Sequence, residues 1–255
     1  MKIIDWVAIL GAMAWLPHLI LFLKSYLTKP EVRIITQKST EIGFTTLGPI
    51  FNMRIAFSVK NHDLVISNLK AKITHDNGEV KLFEWQGIKQ QVLKMNTSEG
   101  SIPYEKENSV LAIKLNQKDV EERIIQLRVN NYLEAKKKIE DIAIKKLSFT
   151  KEQDNYDPID FLKTQEAKDL YSYIKQAFSW KTGTYKVKYE IESPDKFNLV
   201  GNNYEFSLTP LDIEDLEKNR EIIEQEYINS FVSEKHEKHK EVSWKWVYPS
   251  ILEET

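Results

Sequence analysis

Hydrophobic positions along this chain change their spacing several times, and each change predicts an element. The first pattern is unbroken. Between Asp5 and Lys24 no residue carries a formal charge. Such a run makes a helix of about 27 Å, close to the hydrocarbon thickness of a bilayer. Trp6 and Tyr26 would sit about 30 Å apart on it, where the two aromatic belts of a membrane lie. Trp15, Pro17, His18 and Leu23 fall inside the run; proline is costly within a soluble helix and tolerated in a membrane span. A cleaved export signal needs a basic start, a shorter apolar stretch and a small-x-small site. Here Lys2 is offset by Asp5, and Lys-Ser-Tyr-Leu-Thr-Lys-Pro follows the run. The expectation is a retained transmembrane anchor over residues 1–29. Lys24, Lys29, Arg33 and Lys38 outnumber the positive charges ahead of it, so the positive-inside rule puts the C-terminal part in the cytoplasm.

From Val32 to Asn116 the texture is strand-like. Met53, Ile55, Phe57 and Val59 share one alternating register. The apolar phase slips near Asn68, which predicts a bulge. Asp76-Asn77-Gly78 predicts a hairpin turn, because Asn-Gly readily adopts positive φ. Val80, Leu82, Phe83 and Trp85 follow, and Leu111, Ile113 and Leu115 close the region, with 89–108 a polar connection. From Gln117 to Leu147 the spacing turns helical at Val120, Ile124, Leu127, Ile139 and Ile142, with Asn116 as N-cap. Asp157-Pro158 starts a second helix, whose stripe is Phe161, Leu162, Leu170, Ile174 and Phe178. Alternation returns at Tyr185, Val187, Tyr189 and Ile191 and again over 203–208. Thr209-Pro210-Leu211-Asp212 reads as a capping box that opens a helix to about Val232. A charged link and an extended segment, Val242–Ile251, end the chain.

Together these elements predict an α+β protein. A transmembrane helix precedes an immunoglobulin-like antiparallel β-sandwich formed by 30–116 and 183–209. A helical insertion occupies 117–182, and a C-terminal helix and tail occupy 210–255. The segments IGFTTLGPIFNMRIAFSVKNHDLVISNLKAKITHDNGEVKLFEW and WKTGTYKVKYEIES resemble parts of uncharacterised bacterial proteins with one N-terminal span and an immunoglobulin-like domain. The resemblance covers 30–115 and 178–209 and lies in glycines, turns and strand spacing. It implies the fold and a bacterial origin, hence a single-pass protein of the inner (cytoplasmic) membrane, and it implies no activity.

Composition narrows the function classes. A net charge of −2 over 255 residues does not suit a nucleic-acid partner that depends on neutralising many phosphates. The chain has no cysteine, which removes disulfides, thiol catalysis and zinc–thiolate sites. No P-loop, dinucleotide fingerprint, nucleophile elbow or H-E-x-x-H occurs, so no catalytic, cofactor or metal residue is expected. His236-Glu237-Lys238-His239 reads as a solvated link rather than a metal pair, and His62 and His75 as surface residues at strand ends. Asp157 and Asp160 serve as helix cap and first-turn acid; Asp154 and Glu166 are further acids that a hydrolase would have to recruit. Lys136-Lys137-Lys138 and Lys145-Lys146 interleave with Glu134, Glu140 and Asp141 as a solvated face. Trp244, Trp246 and Tyr248 fall at period two, which suits either core packing or a partner-binding strand on a sheet edge.

Two roles are expected. One is a membrane-anchored binding protein that presents its β domain to a protein partner or signal. The other is a homo-oligomerising single-span effector that perturbs the bilayer, with Gly11, Ala12 and Ala14 permitting close helix packing.

Overall fold

A computed structural model describes residues 3–97, 100–108, 112–117, 119–151, 158–232 and 234–254. Helix α1 (Ile3–Leu27) leads into nine strands: β1 (Glu31–Thr36), β2 (Glu41–Thr45), β3 (Gly48–Lys60), β4 (Leu64–Ile66), β5 (Asn68–His75), β6 (Val80–Thr97), β7 (Gly100–Asn108), β8 (Ile113–Leu115) and β9 (Val120–Arg128). Helices α2 (Asn130–Lys151), α3 (Pro158–Leu162) and α4 (Gln165–Gln176) follow. The chain then returns to β10 (Gly183–Glu192), β11 (Asn198–Val200) and β12 (Asn203–Leu208), and ends with α5 (Pro210–Phe231), β13 (Trp246–Val247) and β14 (Ile251–Glu253).

Among the described residues twelve strands make one mixed sheet in the order β11-β1-β3-β9-β6-β5-β10-β12-β14, with β2 and β13 extending it beside β3 and β7 beside β6. β1 and β11 run parallel; β1 and β3 run antiparallel. The sheet curls until its ends meet. Tyr204 Oη on β12 donates to Ile34 O on β1 at 2.9 Å, and Ile251 N–H donates to Lys38 O at 2.9 Å. Facing walls pack across the interior: Phe51 stacks on Phe206 with centroids 5.8 Å apart, and Tyr189 Oη reaches Met53 Sδ at 2.9 Å. The separate pair β4–β8 adds the buried residues Leu64, Ile66, Ile113 and Leu115 to this core.

The α+β class agrees with the sequence reading, but the two separate sheets of an immunoglobulin-like sandwich do not form. The reason lies in two long strands. β3 pairs with β2 through its first half and with β1 through its second. β6, 18 residues long, pairs in turn with β5, β9 and β7. Each strand belongs to both walls, so the ladder never breaks.

Helices α2, α4 and α5 cover β2 from outside. Phe44 packs there with Ala143, Leu170, Ile174 and Ile223 as a second core. The insertion starts at Asn130 rather than Gln117, because 120–128 is a strand with Ile125 and Leu127 on one face and Gln126 and Arg128 on the other, all buried. Burial of both faces erases the period-two signal. The span 89–108, expected as a polar connection, pairs β6 with β7 over 89–97 and 100–107. The phase slip near Asn68 is a change of sheet: β4 leaves the main sheet, and Ser67 N–H bonds Glu192 O at 2.9 Å as β5 enters it. The helix expected from Asp157 is two helices, broken where Thr164 caps α4 by accepting from Ala167 N–H; Asp154 and Asp157 lie outside the described residues. The Asn77-Gly78 turn forms as expected, with Gly78 at φ 88°. β10 alternates buried and exposed positions, and Thr209 and Asp212 complete the capping box of α5.

α1 is helical over 25 residues and, among the described residues, makes no extensive interface with another named element. Its described large apolar side chains are exposed, from 46% at Leu23 to 73% at Trp15 and 74% at Leu27; Trp15 stands edge-on to His18. Among the described residues no helix is long and apolar enough to cross a membrane. The side chains of Trp6 and Tyr26 lie outside the described residues.

Candidate functional site

The C-terminal segment is an extended strap across the sheet and α5. Three amides on α5 hold its backbone. Asn219, fully buried, donates Nδ2 to Lys245 O at 2.8 Å and accepts Lys245 N–H at 2.7 Å. Gln225 donates to Lys238 O at 2.8 Å, and Asn229 to Lys240 O at 2.6 Å. Beyond them β13 pairs with β2, Trp246 opposite Gly43, and Thr40 N–H bonds Pro249 O at 3.1 Å.

The three tail aromatics therefore part company. Trp244 is half-buried against the second core. Trp246 lies on Gly43 so closely that a Cβ there would overlap its ring. Only Tyr248 is open, at 62% exposure. Of the three, only Trp246 lies within β13, a two-residue strand that pairs with β2.

Tyr248 stands over a cleft of about 180 Å³ lined by Glu41, Asn52, Arg54 and Ile124 among others. Its hydroxyl donates to Glu41 Oε1 at 3.4 Å; burial and the Glu41 charge raise its pKa. Glu41 Oε2 accepts from Asn52 Nδ2 at 2.7 Å, and Asn52 Oδ1 accepts from the buried Arg128 at 2.9 Å. Sequence reading missed this relay, because β2, β3 and β9 bring its members together from distant segments. Gln37 is shared with a larger cleft, about 500 Å³, where the sheet ends approach. Ile34, Ile35, Tyr204, Ile251 and Leu252 give that cleft apolar walls, and Arg33 faces Glu253 at its rim at 4.0 Å. Its volume suits a small ligand or a peptide side chain.

His75 corrects an expectation. It is buried rather than at the surface, against Tyr185 with centroids 4.6 Å apart. Nε2 meets Thr182 O at 3.2 Å and Nδ1 accepts Asn77 N–H at 3.3 Å, so both ring nitrogens are engaged. Nearby, Lys81 bridges Glu79 at 3.2 Å and Ser179 O at 3.1 Å. Burial lowers the Lys81 pKa against the pull of Glu79, and burial pushes Tyr185 up to about 12. The adjoining void is about 10 Å³, room for at most a single water, and Ser179 Oγ finds no hydrogen-bond partner among the described residues. This corner is a structural joint between the β5–β6 turn and the start of β10.

The remaining candidates stay apart. His236 Nδ1 accepts Lys238 N–H in an exposed turn, and among the described residues no cluster of His, Asp and Glu could hold a metal. Asp160 pairs with Lys163 at 2.6 Å on the surface, and Lys136 with Glu140 at 3.7 Å. Comparison with known proteins adds nothing here. No family, curated protein or solved structure matches the chain.

Proposed function

We propose that this chain is a membrane-anchored binding protein. α1 fixes it to the bacterial inner membrane, and the curled β body offers its seam to a protein partner on the cytoplasmic side. The observation that carries the reading is α1 itself: a 25-residue helix with a charge-free stretch from Trp6 to Leu23 and exposed large apolar side chains. In water that surface is costly to expose; in lipid it is not. The seam supports the second half, since Ile35, Leu252 and Tyr248 are 46%, 69% and 62% exposed beside two clefts. Lys24, Lys29, Arg33 and Lys38 support the cytoplasmic side.

The test has two parts. The full chain should stay with membranes through alkaline carbonate washing, while the same chain starting at Thr28 should not. Crosslinking in solubilised membranes should then give one adduct that weakens in the Tyr248→Ala, Leu252→Glu double variant. A full chain released by carbonate would remove the anchor; an adduct indifferent to the double variant would remove the seam. Protease added to spheroplasts should leave the body uncut.

A further inference from the structure

We infer that the end of the β body carrying Asn61 and the Ser193–Phe197 loop rests on lipid headgroups, held there by the link from α1 and not by charge. The inference rests on the anchor reading of α1.

Only Thr28, Lys29 and Pro30 separate α1 from β1. Three residues reach at most about 10 Å even when extended, and a headgroup layer is itself about 5–8 Å thick. The link is also tied to the body. Asn61 Nδ2 donates to Lys29 O at 2.9 Å, and Asn198 N–H donates to Pro30 O at 2.9 Å. Asn61 can make that reach because it turns sharply after β3, at φ 74°, a left-handed conformation that asparagine tolerates better than most residues. β1 then pairs at once with β11, Glu31 opposite Asn198, and with the end of β3, Glu31 opposite Lys60. A body fastened this close to the end of a span has nowhere to stand but on the interface.

Strand register identifies which end it is. Along β5 and β10, Asn68 faces Glu192 at this end and His75 faces Tyr185 at the other, about 23 Å away at the rise of a strand. Pro194, Asp195 and Lys196 are exposed at the near end, and Thr182 is exposed at the far one. Among the described residues, charges at the near end form ion pairs, Lys60 with Glu31 at 3.2 Å and Lys114 with Asp63 at 3.3 Å, and Lys196 follows Asp195 in the chain. Tethering supplies the effective concentration, so contact with lipid should not depend on salt in the way a basic patch does.

The chain has no cysteine, so one introduced thiol gives one label. Full-length Asp195→Cys and Thr182→Cys carry an environment-sensitive fluorophore in vesicles of equal phosphatidylcholine and phosphatidylglycerol, with some phosphatidylcholine bearing a headgroup nitroxide. The Asp195→Cys label should show blue-shifted emission and nitroxide quenching, unchanged in high salt; the Thr182→Cys label should show neither. A Gly-Ser insertion between Thr28 and Lys29, combined with Asn61→Ala, should abolish the quenching while the chain stays in the vesicles. Equal wetting of both labels in a carbonate-resistant chain would overturn the inference and leave the anchor standing. Quenching that persists in the lengthened chain, or that vanishes in salt, would overturn the role of the link. Release of the chain by carbonate would take away the anchor reading and this inference with it.

Discussion

At Gly43 one missing side chain fixes the tail. The Trp246 ring occupies the space a Cβ would take, and Trp180 Nε1 donates to Gly43 O at 3.0 Å, so this residue is gripped from two sides. Gly43→Ala should cost about 1–3 kcal/mol, the usual range for overpacking. A lower denaturant midpoint with red-shifted tryptophan emission would report the loosened tail; unchanged values would mean that the ring moves aside freely. Nothing in the sequence marks this glycine, since its partner comes from the far end of the chain. Glu79 is a residue of the opposite kind, whose effect depends on pH. Hydrogen bonds from Lys181 and Lys81 hold its pKa below the usual 4.5. The folded state therefore binds this proton less readily than the unfolded one, so the stabilisation is present above pH 4.5 and is lost as pH falls through the folded value. The difference in urea midpoint between wild type and Glu79→Gln should accordingly shrink from neutral pH towards acid. A constant difference would show that the ion pairs contribute nothing.

Among elements, those that were legible carry their own signals. The Asn77-Gly78 turn, the alternating β10 and the Thr209–Asp212 box follow from local chemistry, and the structure repeats them. β9 was illegible because sheet and polar relay bury both of its faces, leaving Val120, Ile124 and Leu127 to mimic a helical stripe. The break at Thr164 was illegible because apolar spacing continues across it from Phe161 to Leu170. Of the strap, the extended segment is readable but not its docking, which α5 encodes in three amides beside an apolar contact with Trp244. Asn219 is the strongest of these: like Asn229 it makes two hydrogen bonds to the strap, but it alone is fully buried. At about 1 kcal/mol for each bond, Asn219→Ala should lose about 2 kcal/mol. Asn229→Ala, whose partners reach water, should lose less than about 1 kcal/mol. Hydrogen exchange should also show faster amides over 245–247 in Asn219→Ala alone. Equal losses from both variants would mean that the strap is held by Trp246 and not by α5.

For the whole molecule, the charge-free run of α1 was readable and the single curled sheet was not, because strand choice among a dozen partners depends on contacts far apart in sequence. What curling creates is an interior rich in tyrosine. Tyr189 is fully buried and donates to Met53 Sδ; Tyr185 stacks on Phe206 at 4.9 Å. Outside the sheet, Tyr171 packs against Tyr227 at 5.4 Å, and Tyr132 stacks on Tyr173 at 5.6 Å. Burial raises the pKa of each of these groups, to about 12 at Tyr185 and well above the ordinary value at Tyr189. The sign of the consequence follows. Below pH 10 both folded and unfolded chains keep these protons, and stability is unaffected. Above it the unfolded chain releases them while the folded chain retains them, so stability falls as pH rises, for Tyr185 across the window from about 10 to about 12. Several tyrosines act in the same direction and in one cooperative body, so the losses accumulate until the fold gives way. These buried tyrosines should produce tyrosinate absorbance in a single step that coincides with loss of far-ultraviolet circular dichroism. A gradual rise in tyrosinate with the circular dichroism intact would show that water reaches these rings in the native state, and that the curled sheet is open where the structure has it closed.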